Sequence, residues 1–280
     1  VSKPPPVESL VVISDTHIGC KLGLMPKGRV RLDEGGHYSN SPIQRKIRKV
    51  WDYFWEEHVP SATGGKPFDL VFNGDIIDGA HHNTSSIWSS NIKDQRKAAV
   101  EVMAPVVAKA RNYYHIRGTS VHVGEAGSDE EAIAEMLGAI PDQQGNYARN
   151  ELWYRLGDYL GHILHHVGTT SRVAYESSAV MAELAEAFVH SAQWGERHPD
   201  FIVRSHRHRY IEVRIPSDRG YALACTLPSF QGKSSYAWKI AGARQTTPQF
   251  GGIVIRVKKD ELYTRPCVWS PPRARAVVAS

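Results

Sequence analysis

Carboxylates and imidazoles recur at close spacing in four places along this chain. Asp15-Thr-His17 sets an acid and an imidazole two residues apart. On a turn both can face one side and chelate a single divalent cation, the carboxylate bringing charge and the imidazole a neutral nitrogen. The pattern is short and common, so a turn-capping Asp15 beside a solvated His17 explains it equally well. The second place is Asn73-Gly-Asp-Ile-Ile-Asp78-Gly79. Asn-Gly is a hairpin signal, but Ile76-Ile77 breaks strand alternation and the stretch from Asp78 to Asn83 is polar and loop-like. Asp75 can bridge two cations with its two oxygens, and Asp78 can hold a ligand histidine through its ring N–H. His81 and His82 follow and could line a cleft.

The third place is Gly161-His162-Ile-Leu-His165-His166, and the fourth is Arg204-Ser205-His206-Arg-His208. On a strand, His206 and His208 share a face and can enter one site, where paired cations stand about 3.5–4 Å apart. A solvated basic ladder accounts for the same letters. Alternation lets at most two of His162, His165 and His166 share a face. His165, first after the apolar pair Ile163-Leu164, is the favoured ligand, with His166 its alternative; His162 is expected to be structural. Ten of the 14 histidines (His17, His81, His82, His115, His122, His162, His165, His166, His206 and His208) fall near expected strand ends or in the loops after them. Clustering of that kind points to ligands rather than surface decoration.

The elements that must position these groups alternate. Leu10–Ile13 is a short apolar run stopped by Ser14-Asp15, a buried strand rather than a helix. A Gly/Pro/Arg-rich loop runs from Gly19 to about Ser41, where Ser41-Pro42 opens a helix carrying Ile43, Ile47, Val50, Trp51, Phe54 and Trp55. A second strand spans Phe68 to Phe72. The helix from Asp94 to about Arg111 is expected to kink or split at Pro105. Tyr113–Ile116 is a third strand, and Ser128 with Glu131 has the form of a capping box before a helix ending at Gly138. Strands are expected at Glu151–Leu156, Tyr159–Leu164, Phe201–Arg204, Tyr210–Ile215, Tyr221–Cys225 and Ile253–Val257, with one helix from Ser178 to about His190. This alternation predicts an α/β fold: one domain over 1–270, two packed sheets flanked by helices, followed by an Arg/Pro-rich tail at 271–280.

The chain has 280 residues, 41% hydrophobic and 22% charged, which excludes disordered, collagen-like and coiled-coil classes. Its formal charge of +5 helps to attract anions but is far below that of a histone-like nucleic-acid binder. Three widely spaced cysteines give neither a disulfide framework nor a thiolate zinc site, so a reducing cytoplasmic setting is expected. No run approaches the ~18 apolar residues of a membrane span. The letters give no oligomeric state.

Taken in order, Asp15-x-His17, Gly74-Asp75-x-x-Asp78, a histidine after a later strand and Ser205-His206-x-His208 resemble the motifs of the calcineurin-like metallophosphoesterase superfamily. The resemblance spans positions 15 to 208. It implies a four-layer α/β/β/α sandwich of two mixed sheets, with the site at strand ends. It further implies that Asp15, His17, Asp75 and His208 bind one metal, and that Asp75, His165 and His206 bind a second. Ser205 stands where the family has glycine. The third motif departs further: the family reads Gly-Asn-His, and this chain has Gly118-Thr119-Ser120-Val121-His122, with Thr119 in the asparagine position and His122 two residues late. This is similar to a GTxxH variant among phage and prophage members.

The activity implied is a dinuclear phosphoesterase. A water bridging two cations loses a proton and attacks phosphorus in line, Asp75 is shared, and a protonated His122 serves the leaving oxygen. Oxygen and imidazole donors suit Mn, Fe, Ni or Zn, with Mn favoured. The family's protein phosphatases place arginine after the second aspartate; here Gly79 follows Asp78, so a phosphodiester, nucleotide or nucleic acid, is the expected substrate. Arg207, Arg209 and Lys233 could contact phosphates, and Tyr210, Tyr236 or Trp238 could stack on bases. The competing expectations are a phosphomonoesterase, or a metal- or nucleic-acid-binding protein that kept the fold without catalysis. Amidohydrolases carry their HxH early and their aspartate late, the reverse of the order here.

Overall fold

The computed structural model describes residues 7–81, 85–168, 173–239, 246–272 and 275–277. Six strands build the first sheet: β1 (Ser9–Ile13), β4 (Asp69–Asn73), β5 (Tyr113–Ile116), β6 (Ala148–Arg149), β12 (Phe250–Lys258) and β13 (Glu261–Trp269). Their order is β13-β12-β1-β4-β5-β6. The four from β1 to β6 run parallel; β12 pairs antiparallel with β1 and with β13. The second sheet takes β7 (Glu151–Leu156), β8 (Tyr159–Leu164), β9 (Phe201–Arg204), β10 (Ile211–Ser217) and β11 (Gly220–Thr226), in the order β10-β11-β9-β8-β7.

Burial on both sheet faces is why β1 and β4 read as unbroken apolar runs. Leu10, Val12 and Val71 face the second sheet, meeting Ile163, Phe201, Val203 and Leu223. Val11, Ile13, Leu70 and Phe72 face α1 (Pro42–Tyr53) and α3 (Ile92–Val107), packing among Ile47, Trp51, Ala98 and Val102. On the far side, Val180 and Leu184 of α5 (Glu176–Trp194) cover Ile202, Ala222 and Ala224. The result is the four-layer α/β/β/α sandwich.

Several local expectations are corrected. The loop after β1 holds a hairpin, β2 (Arg29–Arg31) and β3 (His37–Ser39), anchored by buried Val30 and by Tyr38 stacked on Trp88 at 5.4 Å. Beyond α1 the chain continues through a π-type stretch, Phe54–His58, into α2 (Val59–Thr63). α3 runs through Pro105 and ends two residues later at Val107. The Ser128–Glu131 capping box does not form: α4 (Ser128–Met136) is capped by Gly127 without a side-chain bond. Glu131 instead accepts from the amides of Tyr147 and Ala148 and from Arg117, so a tertiary demand overrides the local motif. β6 and β13 were not expected from the letters; β13 is an edge strand that carries Glu261, Arg265 and Pro266 at exposed positions.

Candidate metal centre

Parallel strands deliver their C-terminal ends to one pole, and the candidate ligands follow those ends. Asp15 and His17 follow β1, Asp75 follows β4, Thr119 follows β5, His165 follows β8, and His206 and His208 follow β9. His206 and His208 do not lie on a strand, as the i, i+2 pattern led one to expect. They sit in a turn, and both have left-handed backbone, φ 69° and 57°. Asp15 (φ 53°), His17 (φ 42°) and Asp75 (φ 59°) share that conformation. Thus five of the eight described non-glycine residues with positive φ are candidate ligands. Such backbone costs of order 1–3 kcal/mol per residue and persists where surrounding structure imposes it, chiefly at functional sites.

The side chains converge. Asp15 Oδ1 lies 3.1 Å from His208 Nε2 and 3.7 Å from His17 Nε2, and the two imidazoles are 3.3 Å apart. Asp75 Oδ2 lies 3.1 Å from His165 Nε2 and 3.9 Å from His17 Nε2. Donor atoms gather in overlapping sets: Asp15 with His17 and His208; Asp15 with Asp75 and His165; His165 with His166 and His206. Of the adjacent histidines, His165 is buried and His166 exposed. His165 Nδ1–H donates to Asn73 O at 2.7 Å, which turns Nε2 toward Asp75.

Thr119 is the centre of the second set. Its amide donates to Asp75 Oδ1 at 2.6 Å, and its hydroxyl lies 3.0 Å from Asp75 Oδ2, 3.1 Å from His206 Nδ1 and 3.3 Å from His165 Nε2. The close approach requires Gly118, where an added Cβ would collide with the Asp75 carboxylate and amide. Asp78 stands 3.3 Å from His17 Nδ1 without forming a hydrogen bond, and accepts from Gln231 Nε2 at 3.2 Å.

His122 reaches the site from its late position. It packs edge-on against His17 and His81, each at 4.6 Å between ring centres, and Nδ1–H donates to Asp78 O at 2.6 Å. Burial and the neighbouring His17 hold its pKa below the ordinary 6.5. With Nδ1–H given to the Asp78 carbonyl, Nε2 is the His122 atom left for chemistry. His82 lies outside the described residues. His115 and His162 are not ligands: His115 bonds Tyr113 inside the core, and His162 pairs with Glu151 and Arg204.

The donor set fits divalent cations. Asp15 and Asp75 are fully buried carboxylates surrounded by imidazoles, and Asp15 Oδ1 has no hydrogen-bond partner. Burial alone would lower the pKa of His17, but Asp15, Asp78 and Asp75 raise it to about 10; burial is likewise overcome at His165, which Asp75 and Asp15 raise to about 9. Against the same burial penalty, His165, His122 and His17 hold Asp75 well below the carboxylate range. The carboxylates that raise these imidazoles would attract a cation in the same way. His206 is exposed on its outer side, yet the desolvation of its packed ring and the neighbouring His165 lower its pKa to about 4, which leaves it a neutral nitrogen donor.

Several residues that support the site were not singled out from the sequence. Glu130, fully buried, accepts from Ile76 N at 3.0 Å and from Gly118 N at 2.7 Å, tying together the loops after β4 and β5. Gln95 bonds the amide and carbonyl of Gly79. Phe230 N donates to Asp15 O, so buried Phe230 is built into the centre; residues 240–245 lie outside the described residues. Among the expected phosphate and base contacts, Arg209 is paired with Glu176, Arg207 bonds Gly168 O, Tyr210 bonds Glu212, and Lys233 lies over Trp238.

The layered sandwich and the donors at its strand ends are the arrangement implied by the resemblance to calcineurin-like metallophosphoesterases. No protein-family model matches the sequence, and no curated protein is significantly similar to it. Solved structures similar in fold include Vps29 of Chaetomium thermophilum, at 10% identity and a TM-score of 0.41, covering 96% of this chain and 100% of that one. A metallophosphoesterase from Sphaerobacter thermophilus aligns at 10% identity and a TM-score of 0.39, covering 93% of this chain and 88% of that one. The sulfate thiohydrolase SoxB of Thermus thermophilus aligns at 11% identity and a TM-score of 0.42, covering 96% of this chain and 58% of that one. Among the described residues, no helix is long and apolar enough to cross a membrane.

Proposed function

We propose that this chain is a calcineurin-like metallophosphoesterase that hydrolyses phosphodiesters, nucleotide or nucleic acid, with two divalent metal ions, manganese favoured. The observation that carries the proposal is the convergence, from distant parts of the chain, of five left-handed residues: the buried carboxylates Asp15 and Asp75 and the imidazoles His17, His206 and His208. Asp15, His17, His208 and Asp75 would hold one ion, and Asp75, His165 and His206 the other, with His166 at the rim. Ions there supply Lewis acidity and an acidified water.

The chain's own groups do the rest. Thr119 fixes Asp75 through its amide and hydroxyl, so that the carboxylate stays oriented between the two imidazole sets. The carbonyl of Asp78 fixes the His122 tautomer and leaves its Nε2 free to accept a proton at the cleft wall. A neutral imidazole at His206 avoids charge repulsion with incoming cations.

The test is turnover with manganese of bis(p-nitrophenyl) phosphate against p-nitrophenyl phosphate. The diester is expected to be the better substrate, and D75N to reduce its turnover by at least about a hundredfold. Asn tolerates left-handed backbone, so D75N should fold. Absence of diester turnover in manganese-, iron-, nickel- and zinc-treated protein would overturn the proposal.

A further inference from the structure

The positive charge of this protein is concentrated. Between residues 21 and 49 there are eight Lys and Arg and two acids, a balance of +6, while the rest of the chain carries −1. The folded chain makes this stretch one continuous face. Asn40 Nδ2 donates to Pro26 O, Arg45 to Asn40 O, Arg48 to Met25 O, and Lys27 stands 3.3 Å from Asp52, so the segment leading into the hairpin runs alongside α1. Lys21, Lys27, Arg29, Arg31, Arg45, Lys46 and Lys49 are all exposed on it. Among the described residues, Arg29, Arg31, Lys46 and Lys49 have no carboxylate partner, whereas the hairpin's Asp33 is taken by Lys93 of α3.

This face adjoins the metal centre. Leu24 N donates to Thr16 O, between the ligands Asp15 and His17, and Gly232 N donates to Leu22 O one residue beyond Gln231, which holds Asp78. α1 starts at the same pole: its capping Ser41 bonds Lys21 O and its Gln44 bonds Cys20 O. Arg45 and Lys46 are one helical turn, about 5.4 Å, from Lys49, so the cations lead away from the centre along the helix.

We propose that the face formed by residues 21–31 and the exposed side of α1 binds the phosphate backbone of a single-stranded nucleic acid and leads it to the metal centre. This rests on the phosphodiesterase reading and narrows its substrate from a free nucleotide to a strand. Unpaired cations that continue from a phosphodiester site match a repeating polyanion, and contacts of this kind give affinity without sequence preference.

The test uses the full metal-loaded chain and two variants, R29A/R31A/K46A/K49A and the helix-only K46A/K49A, each checked for an unchanged melting temperature. Binding of a single-stranded phosphorothioate oligonucleotide should weaken at least about tenfold in the quadruple variant. The slope of log affinity on log salt should fall by about 0.7 per charge removed, or about 3 in all. Turnover of bis(p-nitrophenyl) phosphate should stay within twofold, while KM for an oligonucleotide substrate rises. Unchanged oligonucleotide affinity and slope in both variants would overturn the proposal, as would binding to phosphatidylserine vesicles in place of oligonucleotide. Salt-dependent binding through this face by a protein that hydrolyses neither diester would uphold the face and defeat the enzymatic reading.

Discussion

Asn73 and Ser205 join the two sheets at the edge of the candidate metal centre: Asn73 Nδ2 lies 2.6 Å from Ser205 Oγ and 3.1 Å from Leu164 O. One amide at the end of β4 thus holds both loops that carry the second sheet's histidines, His165 from one and His206 and His208 from the other. Ser205, which stands where the motif it resembles has glycine, is the acceptor for that amide, so the departure has a structural use.

Removing this amide leaves the Ser205 hydroxyl and the Leu164 carbonyl short of a donor. N73A should destabilise the protein by about 1–3 kcal/mol, whereas S205G keeps the bond to Leu164 and should cost about 1 kcal/mol. In a double-mutant cycle read by urea melts, S205G should add little once Asn73 is gone. Full additivity would show that the two residues act independently.

Glu130 makes a similar link within the first sheet, accepting from one amide on each side of the centre. A glutamine presents only one acceptor oxygen and turns its NH2 against the second amide. E130Q should therefore cost about 1–3 kcal/mol, and it should lower kcat more than it raises KM for the nitrophenyl diester. A change confined to stability, with kcat intact, would limit Glu130 to a role in folding.

Thr119 stands where an asparagine ligand is expected, and its hydroxyl lies within 3.3 Å of Asp75, His165 and His206. T119V keeps the shape and deletes the oxygen; affinity for the more weakly held of two manganese ions should fall about ten- to hundredfold, measured by calorimetry. T119N should restore it at least in part. Equal manganese affinity in the wild type and T119V would show the hydroxyl to be a bystander.

Acid stability should depend on Glu131. Burial opposes its ionisation, but the amides of Ala148 and Tyr147 and the Arg117 guanidinium hold its carboxyl below the ordinary 4.5. A depressed folded-state pKa adds stability that is present above about 4.5 and is lost as pH falls through the folded value. Melting temperatures of wild type and E131Q should therefore differ most above pH ~5 and converge toward pH ~3. A constant gap across that range would contradict the assignment.

Much of the centre was legible because parallel strands put their polar residues immediately after apolar runs. Asp15 and Asp75 each follow such a run, and order along the chain linked them to His165, His206 and His208. The rest depends on what lies opposite in space. HxH looks like one face of a strand, and only the fold shows it to be a turn with two left-handed residues. Ser128 and Glu131 match a local cap, yet the carboxylate is drawn to the amides of Tyr147 and Ala148, where a strand of only two residues begins. Glu130 and Asn73 carry no spacing signal, since their partners are backbone groups brought close by packing.

The central claim is that two cations share Asp75. Manganese-soaked crystals, measured on the metal's absorption edge, should give two anomalous peaks about 3.5–4 Å apart, one beside Asp15, His17 and His208, the other beside His165 and His206, with the Asp75 carboxylate touching both. A map with no peak at Asp75, or with manganese bound only elsewhere on the surface, would contradict the account.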